Sequence, residues 1–193
     1  MSVSLSKGQK ISLTKDTGIK KIAVALGWEV SSEPLDLDAV AFALSSRTGK
    51  PLCPKEEDFI FYGNKTAMNN SIIHTGDNRT GGDGDCEKIL VDFEKIKSVD
   101  PSVDELAFYV TIFEAAKKNQ TFGKLKNAYI KIYKEDNTVF ADYDLDQAFP
   151  DARSVHIGSF TKDVAGDWHF TAIGNAVKEE LSGVCAKYGI DAE

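Results

Sequence analysis

The residues best suited to chemistry in this sequence are the carboxylates of the loop Asp77–Glu87, which reads Asp-Asn-Arg-Thr-Gly-Gly-Asp-Gly-Asp-Cys-Glu. Four carboxylates and one amide fall within these eleven residues, interleaved with three glycines. Carboxylates packed this closely repel and raise one another's pKa unless a cation neutralises them. A hard divalent ion does so, and calcium takes about six to eight oxygens from carboxylates, amides, backbone carbonyls and water. Glycines let the backbone curl so that several oxygens converge. If the segment is extended, Asp83, Asp85 and Glu87 point to one side, the ion side, and Cys86 faces away towards solvent. The other reading is that Gly/Asp/Asn clusters serve turn geometry alone.

A second carboxylate pair favours the ion. In Leu35–Leu44, residues Asp36, Asp38, Val40, Phe42 and Leu44 share one face, while Leu37, Ala39, Ala41 and Ala43 share the other. Two aspartates on an apolar strand are costly if buried unpaired. They make sense if that strand end lies beside the acidic loop and shares its ions. An EF-hand fails on paper: counting from Asp83, the sixth position is Lys88 where the sharp turn needs glycine, and residues 88–93 read as a strand. Repeat-type calcium motifs fail because the Gly-Asp pattern occurs once.

The elements that must position these groups are mostly strands, recognised by period-two alternation. Ile22, Val24, Leu26 and Trp28 mark the first clear one. Others are expected at Asp58–Tyr62, Ser71–Thr75, Lys88–Phe93, Leu106–Phe113, Ala128–Tyr133, Val139–Leu145, Val155–Thr161 and Trp168–Ala172. Short strands separated by Gly, Asn, Asp and Pro clusters predict a mainly β fold, a sandwich or a barrel. Ile173, Val177, Leu181, Val184 and Tyr188 recur at helical spacing, with Gly189 suited to end a C-terminal helix packed on a sheet.

Length and composition narrow the function classes. A chain of 193 residues, 42% hydrophobic and 27% charged, suits one globular domain spanning residues 1–193. The net charge of −7 argues against nucleic-acid binding, and the Lys117-Lys118 and Lys124/Lys126 clusters read as solvated surface. No stretch approaches the ~18 apolar residues of a membrane span. The segment Met1–Gly8 lacks a signal-peptide core, so a cytoplasmic location is expected. Cys53, Cys86 and Cys185 have no CxxC spacing and predict no disulfide framework. His74, His156 and His169 lie in no catalytic or zinc spacing, and no GxSxG elbow, P-loop or GxGxxG fingerprint is present, so an enzyme is not expected.

Several blocks together resemble the TerD family, associated with tellurite resistance and stress response. They are Ser2-Val3-Ser4-Leu5-Ser6-Lys7-Gly8, Ala25-Leu26-Gly27-Trp28, Asp36-Leu37-Asp38-Ala39 and Asp58-Phe59-Ile60-Phe61-Tyr62. The most specific is His74-Thr75-Gly76-Asp77-Asn78-Arg79-Thr80-Gly81, continued by Gly82-Asp83-Gly84-Asp85. Gln120-Thr121-Phe122-Gly123, Asn127-Ala128 and Val184-Cys185-Ala186-Lys187-Tyr188-Gly189 follow, so the likeness spans nearly the whole chain. The resemblance implies a two-sheet β-sandwich with two neighbouring calcium sites at one end. The carried-over ligand positions are Asp36, Asp38, Asp77, Asn78, Asp83, Asp85 and Glu87. Cys86 stands where family members often carry an acidic residue. The resemblance supplies no defined chemical activity, and the first reading of the role is a calcium-dependent binding or scaffold module whose partners are proteins of the same resistance system, membrane-associated ones included. The alternative is a metal-dependent hydrolase, or a phosphate or oxyanion binder using the ion pair.

Overall fold

The computed structural model describes residues 3–30, 33–145 and 149–192, and Ser2 of the opening block lies outside them. The alternating segments form two sheets. The first has seven strands in the order β1–β11–β10–β3–β8–β7–β6. These are β1 (Val3–Ser4), β11 (Val139–Asp144), β10 (Leu125–Lys134), β3 (Lys21–Val30), β8 (Glu87–Asp92), β7 (Ile72–His74) and β6 (Thr66–Ala67). The second has six, in the order β2–β13–β12–β9–β4–β5. These are β2 (Lys10–Ser12), β13 (Trp168–Val177), β12 (Ser154–Lys162), β9 (Glu105–Ile112), β4 (Leu37–Leu44) and β5 (Phe59–Ile60). Neighbours pair antiparallel except β1 with β11.

The two sheets pack face to face, as the alternation requires. Ile22, Val24, Leu26 and Trp28 of β3 share one core with Leu37, Ala39, Ala41 and Ala43 of β4. The opposite face of β4 is buried too. Val40, Phe42 and Leu44 lie in a second cluster with Tyr109, Val184, Cys185, Tyr188 and Ile190. Following the short helices α1 (Thr14–Thr17), α2 (Phe93–Val99) and α3 (Ala115–Lys118) in the chain, helix α4 (Leu181–Lys187) and the residues after it therefore roof the second sheet. This explains why β4 reads as nearly continuous apolar sequence despite its two-faced pattern. Phe42 stacks on Phe59 at 4.8 Å, and Tyr109 and Tyr188 share a hydroxyl–hydroxyl hydrogen bond of 2.8 Å.

Two boundary expectations need correction. The helical spacing from Ile173 to Tyr188 is only half helical: Ile173 and Val177 belong to β13, and the helix occupies Leu181–Lys187. The ladder wins because Arg153 N–H donates to Val177 O, and Val177 lies opposite Ser154. Likewise Phe93 does not close β8 but opens a helix (Phe93–Val99), because the Asp92 side chain caps it by accepting from Lys95 N at 3.0 Å. Gly189, at φ +78°, follows the last helical turn as expected.

Candidate functional site

The site lies where the start of β4 meets the loop joining β7 to β8. Register on the second sheet sets Asp38 opposite Thr111, and Phe113 N–H donates to Asp36 O at 2.9 Å. The loop is held on the first sheet by Gly82 N–H to Trp28 O (3.1 Å) and Cys86 N–H to Leu26 O (2.7 Å). Inside it, the Asn78 side-chain oxygen accepts from Thr80 N and Gly81 N, each at 3.0 Å. This is an Asx turn, and it uses the lone pairs that a cation would need. Asn78 thus shapes the loop, and its side-chain oxygen is already engaged.

Glu87 joins the three parts. Its side chain is fully buried, one oxygen accepting from Ala39 N at 2.8 Å and the other from Asn78 N at 3.0 Å. One carboxylate therefore bridges β8, the second sheet and the loop. His74 Nδ1 accepts from Gly76 N at 3.2 Å, which puts the ring proton on Nε2, facing Glu87 at 3.4 Å. That distance is a contact and not a hydrogen bond, and His74 Nε2 has no hydrogen-bond partner.

This scaffold brings Asp77 over β4. Asp36, Asp38 and Asp77 each offer a carboxylate oxygen, all within 4.8 Å of one another. They line a cavity of about 90 Å³ with Tyr62, Arg79 and Phe113. Asp38 is 2% exposed. Burial, then the charges of Glu87, Asp36 and Asp77, push its pKa up to about 8. Asp36 is raised as well, by burial first and Asp77 second, and its Oδ1 is buried with no hydrogen-bond partner. Arg79 Nε donates to Asp77 at 3.0 Å from a largely exposed side chain. The donor set is all oxygen and strongly anionic, which fits a hard divalent cation.

The remaining expected ligands fall elsewhere. Asp85 accepts from Tyr129 Oη at 3.2 Å and pairs with Lys88 at 3.0 Å, on the outer face of the first sheet. Glu87 points the other way, between the sheets. The shared-side expectation for Asp83, Asp85 and Glu87 fails because the chain bends at 83–84 and becomes strand only at Glu87. Strand period does not apply upstream of it. Asp83 is exposed and outside the three-carboxylate group. Cys86 is not a solvent-side residue. It packs against the core with Sγ 3.5–3.9 Å from the carbonyls of Gly84, Gly82 and Trp28, and burial raises its thiol pKa. Sequence reasoning missed Tyr62, Arg79 and Phe113 as cavity walls, since nothing in their spacing marks them.

Gly81 has a positional requirement. At φ +68°, a Cβ there would sit 2.7 Å from both the Trp28 carbonyl oxygen and Nε1. Gly81→Ala is expected to destabilise the protein by about 1–3 kcal/mol through left-handed strain and this clash. Urea unfolding would show it; a change below about 0.5 kcal/mol would mean the loop does not rest on Trp28.

The TerD domain profile matches residues 1–188. The chain is 42% identical to the tellurium resistance protein TerD of Serratia marcescens, over the full length of both. It is 36% identical to general stress protein 16U of Bacillus subtilis, covering 98% of each. The crystal structure of a homologue of telluride resistance protein from Streptomyces coelicolor A3(2) superposes with a TM-score of 0.69 at 19% identity, over 91% of this chain and all of that one. This last likeness concerns the fold.

Proposed function

The chain belongs to the TerD family of tellurium-resistance and stress-response proteins, and from that premise we propose that it is a calcium-dependent binding or scaffold module. The observation that carries the reading is the cluster of Asp36, Asp38 and Asp77, whose carboxylate oxygens lie within 4.8 Å of one another. Three carboxylates this close, one of them almost fully buried, are ionised together only with a counter-charge beside them. The three aspartates would hold the ion, with backbone carbonyls and water completing the shell of about six to eight oxygens. Magnesium is a poorer fit, since it dehydrates reluctantly and demands octahedral geometry. Among the described residues this group supports the first of the two ions the resemblance implies; Asp85 pairs with Tyr129 and Lys88, and Asp83 stands apart from it.

Ion occupancy would neutralise the contact between Asp77 and β4, and so fix the loop that Glu87 and Asn78 already shape. The ordered loop is then the surface offered to a protein partner of the same stress system. Binding is favoured over catalysis because the histidines stand apart from the cluster. His156 bonds Ser159, His169 bonds Asp163, and His74 faces Glu87. Among the described residues no helix is long and apolar enough to cross a membrane.

Affinity capture from host lysate with the tagged full-length chain tests the reading. Partners are expected to be retained in calcium and released by a calcium chelator. Equal recovery in both conditions, or calcium-dependent turnover of a phosphoester panel, would contradict the scaffold role.

A further inference from the structure

A larger cavity, of about 630 Å³, opens beside the carboxylate cluster, between the outer face of the second sheet and the C-terminal residues. Its volume lies in the range of small-molecule sites. Asp38 and Thr111, directly opposite on β4 and β9, both line it, at 2% and 1% exposure. Thr111 Oγ1 is buried with no hydrogen-bond partner among the described residues, on the same strand face as Asp38. A hydroxyl left unpaired in a buried site is destabilising unless something occasionally satisfies it.

The walls are aromatic. Phe59 and Phe61 stack at 4.5 Å, and Tyr62 meets Phe113 edge-on at 6.0 Å. The mouth is acidic: Glu56, Glu114, Glu180 and Asp191 line it, and no lysine, arginine or histidine is among the described lining residues, although Lys118 Nζ lies 4.8 Å from the centre of the Phe113 ring. Glu114 is compensated by Lys117 at 2.7 Å, and Glu180 accepts from Ala116 N at 2.6 Å. Glu56 and Asp191 are exposed at the opening. Anions are repelled by such a site. An alkyl chain suits the rings, and a cation suits both ends.

We propose that this cavity binds an aliphatic diamine or polyamine, one ammonium held by Asp38 and Thr111 and the other by Glu56 and Asp191 at the mouth. An ammonium carries three donors, and its charge favours the ionised form of Asp38, so it can bond the Asp38 carboxylate and the Thr111 hydroxyl together. The methylene stem lies against Phe59, Phe61, Tyr62 and Phe113. Asp38 lines both cavities, so calcium and the amine compete for its carboxylate, and the amine site is therefore read in the calcium-free protein.

The test is calorimetric titration of the full-length chain, freed of divalent ions on a chelating resin, with cadaverine and with hexylamine as a one-charge comparison. Cadaverine is expected to bind saturably and more tightly than hexylamine. Thr111→Val should weaken it about tenfold or more, since a hydrogen bond to a charged group is lost. Its melting temperature should be no lower than that of the parent, because the hydroxyl has no partner in the free protein. The surface variant Glu56→Gln/Asp191→Asn should reduce cadaverine to the hexylamine level. No saturable binding at millimolar cadaverine, equal affinity for both amines, or unchanged affinity in both variants would overturn the proposal.

Discussion

Glu87→Ala is expected to lower the unfolding free energy by about 3–5 kcal/mol, the cost typical of breaking a buried charged hydrogen-bonded group. Glu87 accepts from Ala39 N on one sheet and Asn78 N in the loop. Its removal leaves two N–H groups without these acceptors and a hole beside His74. For a chain of this length the loss corresponds to a fall in melting temperature of about 6–20 °C. Glu87→Gln should cost less, because the amide keeps one acceptor, while its NH₂ group must face one of the two N–H donors. Urea denaturation of both variants would measure the difference. A loss below about 1 kcal/mol for Glu87→Ala would show that the sheets are not joined through this carboxylate.

The second large effect concerns Asp38 in the metal-free protein. Burial and the neighbouring charges of Glu87, Asp36 and Asp77 raise its pKa from 3.8 to about 8. In the unfolded chain the group loses its proton near pH 4, whereas in the folded chain it keeps it until about pH 8. Between these values the folded state binds more protons, so stability falls as pH rises. The contribution is intact below the unfolded pKa and lost by the time pH passes the folded one. Asp38→Asn should flatten this slope and raise metal-free stability at pH 8 by a few kcal/mol. Asp36, shifted in the same direction, adds to the slope. Melting curves from pH 4 to pH 8 in a chelating buffer would check this. A stability that rises through that window would contradict it.

Much of this was legible in the sequence. The two faces of Leu35–Leu44 separate as the alternation demands, into the inter-sheet core and the cluster under α4. The suspicion that Asp36 and Asp38 lie beside the acidic loop is matched by Asp77 standing against both. What could not be read was the direction of each loop carboxylate. Asp85 and Glu87 are two residues apart, yet face opposite sides of a sheet, because the extended geometry that alternation assumes begins only at Glu87. The roles of Glu87 and Asn78 were also hidden. Side chains that bond backbone N–H groups brought in by the fold, Ala39 for Glu87, carry the same composition signal as ion ligands. The extent of the C-terminal helix was misjudged because apolar residues of β13 happen to fall in phase with those of α4.

The central claim is that Asp36, Asp38 and Asp77 hold a calcium ion. It is tested most directly by the calcium-induced rise in melting temperature, measured for the parent chain, Asp38→Asn, Asp77→Asn and the double variant Asp83→Asn/Asp85→Asn. Ligands that bind only the folded state stabilise it by mass action, so a bound ion must register. The rise is predicted in the parent and in the double variant, and is predicted to vanish in Asp38→Asn and Asp77→Asn. A rise that persists in Asp38→Asn and Asp77→Asn, or none in the parent, would contradict the claim.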